Sequence, residues 1–304
     1  MALWQNYHLP NSVETALTDL ARYNGKARVV AGGTDLLLEL QQGRKAPVAA
    51  LVDITHIPEL RHIRQDDDII TVGAAVTHTE IVASTLLAQR ATCLVESCGV
   101  IGGPQVRNVA TLGGNVAHAL PAGDGTISLV ALEAEAEVAT AAGRIWQPVA
   151  ALFQGPGRST VDQHCELITR FRFRATTDNT RTAFKRIMRP QGVALPILAM
   201  AVWVEFESDR DTVAGVRIAL GPAGPTPLRA TAAESYLVGK SLQPEVLKEV
   251  SPRILAETRL RTSRHRATKD YRVELIDVLV RRNFDVVNRR IHQAEVSPEG
   301  IGLA

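Results

Sequence analysis

Two short segments, Gly32-Gly33-Thr34-Asp35 and Thr111-Leu112-Gly113-Gly114-Asn115, each join a double glycine to hydroxyl and amide or carboxylate side chains. A diphosphate can be held without a metal ion by pointing several backbone N–H groups at it, and glycine allows the backbone to come close enough. The first segment follows ARVVA (27–31), which reads as a short buried strand, and precedes a helix expected over about 34–42 and closed by Gly43. It therefore sits at a helix N-terminus, where the macrodipole attracts an anion. One double glycine serves equally as a tight strand-to-helix turn. Its recurrence in the glycine-rich, mostly unperiodic stretch from Gly99 to Gly125, which reads as a long functional loop, points to two loops clasping one diphosphate. Neither segment has the G-x-G-x-x-G pattern, and no G-x-x-x-x-G-K-[ST] occurs, which disfavours a Rossmann domain and a P-loop.

Other chemistries find less support. Cys93, Cys98 and Cys165 form no C-x-x-C pair and cannot supply the four ligands of a cysteine-ligated iron–sulfur cluster, so all three read as buried small hydrophobes in a reducing compartment. The histidines lack metal-ligand spacing, so no metal site is expected, and no catalytic nucleophile–base set emerges. With 45% hydrophobic and 22% charged residues the composition is that of a globular protein, while 4% aromatics and a net charge of +2 argue against nucleic acid. No apolar run reaches the roughly 18 residues of a membrane span, and the first residues lack an export-signal pattern, so a cytoplasmic protein is expected, exported only if a partner carries the signal. The basic run RLRTSRHR (259–266) reads as a solvated face, with pairing to an acidic patch on a partner as the alternative.

The elements that must position these residues mix helices and strands without a strict βαβ rhythm. Asn11 and Glu14 suggest a capping box opening the first helix, and Thr77 and Glu80 suggest another. ALVDI, RHIRQ, IITVGAAV, AEVAT, RIWQPVA and ELITRFRFR read as strands, and DGTISLVALEA as a helix. Beyond a polar patch at 176–180 come three strand-like runs, TAFKRIM, ILAMAVWVEFE and AGVRIALG, then three helical stretches, the last over about 268–290. Strands followed by helices imply an α+β unit at the C-terminal end.

The series VVAGGTDLLLEL (29–40), PQVRNVATLGGN (104–115), PAGD (121–124), ELIT (166–169), AFKRIMR (183–189) and PTPLRATAAESYLVGKSL (225–242) resembles the medium, FAD-binding subunit of the molybdenum hydroxylases, the family of xanthine dehydrogenase and aerobic carbon monoxide dehydrogenase. The likeness runs in order from about Pro10 to about Asn283. It implies an α+β protein: a two-subdomain FAD-binding fold, not Rossmann, spanning 1–55 and 56–177, an α+β C-terminal domain at 178–290 and a tail at 291–304.

The same resemblance implies an oxidoreductase subunit that passes electrons from [2Fe-2S] clusters of a small partner subunit to an external acceptor. The molybdenum-pterin centre would belong to a large partner subunit, in a heterotrimer or a dimer of heterotrimers. Ala31, Gly32, Gly33, Thr34 and Asp35 would line the FAD diphosphate, with Arg28, Val29 and Val30 leading in and Leu36 following. Thr111, Gly113, Gly114 and Asn115 would form the facing loop, Asp124 would accept from ribityl or ribose hydroxyls, and Lys185 would lie near the flavin. Gln105, Arg107 and Asn108 either hold their loop by bonds to carbonyls or touch FAD, and His118 is not expected to attach flavin covalently. One departure is Arg189-Pro190-Gln191-Gly192-Val193, where the family commonly has an acidic residue. A stand-alone FAD enzyme of related fold and a scaffold subunit without FAD remain the alternatives.

Overall fold

The computed structural model describes residues 2–189, 195–264, 266–293 and 296–300. The departure at 190–193 lies outside these residues. Among the described residues three main sheets follow one another along the chain. The first is parallel, with β1 (Trp4–His8) and β2 (Ala27–Val30) flanking β3 (Val48–Asp53). β1 is polar and largely exposed, which is why no hydrophobic run announces it. Helix α1 (Val13–Ala21) buries Val13, Ala16 and Leu20 against this sheet. Its cap is Ser12, whose hydroxyl accepts from the Thr15 N–H, not Asn11. Glu14 then falls one residue short of the position a capping box needs and pairs with Arg144 at 2.8 Å. The short α2 (Leu36–Gln41) connects β2 to β3.

The second sheet is antiparallel, in the order β4 (Ile63–Asp66), β5 (Ile69–Gly73), β10 (Leu167–Arg174), β6 (Glu135–Thr140), β7 (Gly143–Pro148), with a small hairpin of β8 (Phe153–Gly155) and β9 (Arg158–Ser159) beside it. Alternation along β10 sends Phe171 and Phe173 into the core and Arg170 and Arg172 to the other face, where they meet Glu137 at 2.8 Å and Glu135 at 2.7 Å. The core face is covered by α3 (His78–Ala83), α4 (Thr85–Arg90), α5 (Thr92–Gly99), α6 (Pro104–Arg107), α7 (Leu112–Ala117) and α8 (Asp124–Ala131). Thr77 and Glu80 form the expected capping box at α3. The stretch read as an open loop thus contains α6 and α7, whose four and six residues are too few to show a period. Cys93 and Cys98 are buried, and burial raises the Cys93 thiol to about 12; Cys165, in the loop before β10, is exposed, contrary to expectation.

The third sheet, β11 (Thr180–Met188), β12 (Pro196–Phe206), β13 (Val213–Gly221) and β14 (Leu228–Arg229), is antiparallel and shares a core with α9 (Thr231–Leu237), α10 (Pro244–Lys248), α11 (Val250–Glu257) and α12 (Lys269–Arg290). The described residues form four helices here rather than three, because Pro252 has no N–H to give the Lys248 carbonyl and a continuous helix through it would clash.

A buried ion pair ties the second and third units together. Glu96 of α5 and Arg290 at the end of α12 are each 1% exposed and 2.5 Å apart. The Glu96 carboxylate also accepts the N–H of Phe184 and of Glu299, both at 2.8 Å, while Arg290 donates to the carbonyls of Thr182 and Ser297. Removing one partner strands a buried charge, which costs about 3–5 kcal/mol. Glu96→Ala is expected to lower stability by that amount in denaturant unfolding of the full chain, and an unchanged midpoint would show the pair to be idle.

Candidate cofactor site

A cavity of about 490 Å³ opens where the first sheet, the α6–α8 segment and β11 meet, within the size range of small-molecule sites, about 300–1,000 Å³. Arg28 through Leu36, Thr111, Gly113, Gly114, Asn115 and Asp124 all line it, and Lys185 does not.

The two glycine loops do different work. Between β2 and α2, the N–H groups of Gly32, Gly33, Thr34 and Asp35 donate to no carbonyl or side chain among the described residues. Gly33 turns the chain there with φ +66°, in the left-handed region that favours glycine. Four successive free donors beside a helix start are the arrangement an anion needs. The second loop has spent its donors internally: Leu112 N–H goes to Val76 O, Gly113 N–H to Ala74 O at 2.9 Å, Gly114 N–H to the Thr111 hydroxyl at 3.0 Å, and Asn115 N–H to Thr111 O. Asn115 Oδ1 accepts from the N–H and hydroxyl of Thr126, bracing the first turn of α8 beside Asp124.

Gly113 of the second loop therefore serves packing. A Cβ on Gly113 would lie 2.6 Å from Ala74 O, and on Gly32 it would lie 2.0 Å from Val109 O, so the backbone of the first loop rests directly on the segment leading into the second. A Cβ on Gly114 would meet only the Thr111 hydroxyl, at 3.2 Å.

The opposite wall carries charge. Asp124 and Arg186 form an ion pair at 2.7 Å with both side chains buried, and Arg186 also donates to Val100 O. Burial pushes the Asp124 carboxyl up to about 7 against the pull of Arg186. Among the described residues, Asp124 Oδ1 and Arg186 Nε, both buried, have no partner. Lys185 points from the other face of β11, where its ammonium meets Glu299 at 2.7 Å. Neighbouring residues on a strand face opposite ways, so the side chain aimed at the cavity is Arg186. His78 also lines the cavity, neutral because burial and Arg107 depress it to about 4.

Sequence reasoning missed Arg186, His78 and Gln163. Gln163 accepts from Arg28 at 2.7 Å through its side-chain oxygen, accepts the Val29 N–H through its carbonyl, and donates to Ala117 O, so it laces β2 to α7. No local pattern marks a residue that acts across such a distance in the chain. Arg107 holds its own loop by donating to Gly102 O at 2.8 Å and Ile101 O, and Gln105, Arg107 and Asn108 all lie off the cavity lining. His118 lines it, 3.9 Å from Asp35. Among the described residues no group of three or more His, Cys, Asp or Glu is placed to hold a metal ion, and no helix is long and apolar enough to cross a membrane.

Free amides at a helix start, facing a buried carboxylate–guanidinium pair and outside any Rossmann fingerprint, define a protein built for an anionic, hydroxyl-bearing cofactor. The comparisons with known proteins specify it. Residues 3–173 match the family described as FAD binding domain in molybdopterin dehydrogenase, and 182–287 match the CO dehydrogenase flavoprotein C-terminal domain. The chain belongs to this family of FAD-binding oxidoreductase subunits. It is 30% identical to the carbon monoxide dehydrogenase medium chain of Hydrogenophaga pseudoflava over 82% of this chain and 85% of the relative. It is 29% identical to the xanthine dehydrogenase FAD-binding subunit of Escherichia coli O157:H7 over 91% of this chain and 94% of the relative. A solved structure of carbon monoxide dehydrogenase from H. pseudoflava, lacking the Mo-pyranopterin moiety, superposes with a TM-score of 0.88 at 29% identity, covering 94% of this chain and 98% of that one.

Two outcomes are expected. Gly32→Ala should drive the two loops apart and abolish FAD binding in a fluorescence titration, whereas Gly114→Ala, meeting one hydroxyl, should bind within a few-fold of wild type; equal behaviour of the two would contradict the close-approach role of Gly32. Asp124, held protonated up to about 7 in the folded chain without FAD but only to about 4 when unfolded, makes the folded state bind the extra proton between those values. Its contribution to stability is thus greatest at the acid end of the window and lost as pH rises through about 7. Asp124→Asn should flatten that slope in unfolding measurements from pH 4 to pH 8, and a wild-type slope in the variant would contradict the assignment.

Proposed function

We propose that this chain is the FAD-carrying, electron-exit subunit of a heteromeric molybdenum hydroxylase, a cytoplasmic complex in which a large partner subunit holds the molybdenum-pterin centre and a small one holds two [2Fe-2S] clusters. The observation that carries this reading is the row of unpartnered amides from Gly32 to Asp35 across the cavity from Asp124 and Arg186. When bound, FAD supplies the capacity to take electrons singly and release them singly or in pairs. The chain's own residues bind and orient. Arg28, Val29, Val30 and Ala31 lead into the amides that would hold the diphosphate, Leu36 follows, and Thr111, Gly113, Gly114 and Asn115 shape the facing wall. Asp124 Oδ1, buried without a partner among the described residues, would accept a cofactor hydroxyl, and Arg186 would supply the positive charge that the family's pattern had suggested for Lys185. No side chain of this chain is assigned an acid–base step.

The division into units at 1–55, 56–177 and 178–290 belongs to the same proposal, supported by one main sheet in each. The segment assigned to the tail, 291–304, does not hang free throughout, since Glu299 pairs with Lys185 and Arg289. The proposed assembly is a heterotrimer or a dimer of heterotrimers, which native mass measurement distinguishes.

The test separates the two half-reactions. Acid precipitation of the assembled complex should release FAD, not FMN, at about one per copy of this chain. In complex stripped of flavin, the organic substrate should still bleach the cluster absorbance at a near-normal rate, and reoxidation by the natural acceptor should stop. Loss of cluster reduction in a fully assembled, flavin-free complex would overturn the electron-exit role.

A further inference from the structure

The charged groups that line the cavity are paired at short range, with one exception. Glu39 meets Lys45 at 2.9 Å and Asp124 meets Arg186 at 2.7 Å. Glu166 accepts the N–H of Asp162 at 2.9 Å, and Arg28 donates to Gln163 at 2.7 Å. The exception is Asp35, the last residue in the row of free amides. Among the described residues the one basic group within ion-pair range of its carboxylate is His118, whose Nε2 stands 3.9 Å from Asp35 Oδ1. That separation is too long for a hydrogen bond.

The two residues reach the cavity from facing elements. Asp35 caps α2, and His118 ends α7, where its N–H donates to Gly114 O. The helix behind His118 is held in place, since Ala117 O accepts from Gln163 and Gly113 rests on Ala74. The His118 side chain is 20% exposed against 62% for Asp35, so the imidazole sits largely inside the wall while the carboxylate stands in the opening. An exposed pair without a hydrogen bond contributes little to stability. Its attraction to Asp35 therefore does not account for a ring held this close to the amides.

The anion proposed for those amides does account for it. A diphosphate beside Gly32 to Asp35 would lie next to the Asp35 carboxylate, and like charges repel. Lys45 and Arg186 already answer Glu39 and Asp124. An imidazole can donate from Nε2 both in that neutral tautomer and when protonated, so it serves an anion in either state. We propose that His118 is a further, non-covalent contact for the cofactor's diphosphate, donating to a phosphate oxygen from the side opposite the amides of Gly32 to Asp35. The inference rests on the FAD reading. The second loop, whose own amides are bonded within the protein, would thus reach the anion through a side chain one turn beyond Gly114.

The test is a fluorescence titration of the full chain, freed of flavin, with FAD and with riboflavin, which has no phosphate. In His118→Ala the affinity for FAD should fall by about tenfold or more, the effect of losing one hydrogen bond to a charged group, while riboflavin binds as it does to the wild type. His118→Gln, which keeps an N–H donor, should fall between. The same loss of FAD affinity should recur when His118→Ala is made in an Asp35→Asn background, because His118 acts on the ligand. A loss that disappears there would show that His118 only steadies the first loop through Asp35, and would overturn the proposal. Unchanged FAD affinity in His118→Ala, or an equal loss for FAD and riboflavin, would overturn it as well. A wild-type chain that binds no FAD would sink the FAD reading and the contact together, whereas a wild-type chain that binds FAD with or without His118 would sink the contact alone.

Discussion

The site depends on one close approach: the backbone at Gly32 lies so near Val109 and Ala110 that a single added carbon would sit 2.0 Å from a carbonyl oxygen. That contact docks the parallel three-stranded unit onto the α6–α8 segment and leaves the cavity between them. Gly113 repeats the device one layer further in, against Ala74 at the end of β5. Glycine is usually credited to the ligand in such motifs, but here two of the four motif glycines are required first by the chain's own packing. The remaining conformational demand falls on Gly33, whose turn leaves the following amides without protein partners.

Two buried ion pairs, of which Asp124–Arg186 lines the cavity, show how satisfaction decides function. Glu96 and Arg290 have further partners, backbone N–H groups on one side and carbonyls on the other, so the pair is complete and joins α5 to β11 and α12. Asp124 and Arg186 are about equally buried, yet among the described residues each keeps one polar atom unpaired. An incomplete buried pair is costly unless something else arrives to complete it. The first pair is therefore architecture, and the second has the incompleteness expected of a group that meets a ligand. Burial outweighs the attraction of Arg186 in setting the Asp124 carboxyl near 7, which leaves the positive charge on that wall only partly neutralised.

The glycine loops were legible in the sequence because their demands are local: strand, turn and helix start lie within about a dozen residues, and the residue types state the backbone geometry. The alternation in ELITRFRFR was legible for the same reason. The sequence could not show which face of β11 meets the cavity. TAFKRIM places Lys185 and Arg186 on opposite sides, and only the packing of Phe184 and Glu96 decides between them. Gln163 was invisible because its partners lie far away in sequence. The polar β1 offered no hydrophobic period, and the one-residue slip from Asn11 to Ser12 turned on a hydroxyl and an amide that cap about equally well. The idea of two loops giving amides to one diphosphate failed in half, because the second loop's donors are consumed by Val76, Ala74 and Thr111, none of which the motif reveals.

The central claim is this asymmetry between the loops, and amide hydrogen exchange measures it directly. Without cofactor, amides 32–36 should exchange fast while amides 112–115, already bonded within the protein, exchange slowly. Adding FAD should slow the first set strongly and barely change the second, and riboflavin, which has no phosphate, should leave the first set fast. Fast exchange at 112–115 that slows only with FAD, or equal protection of 32–36 by riboflavin, would contradict the account.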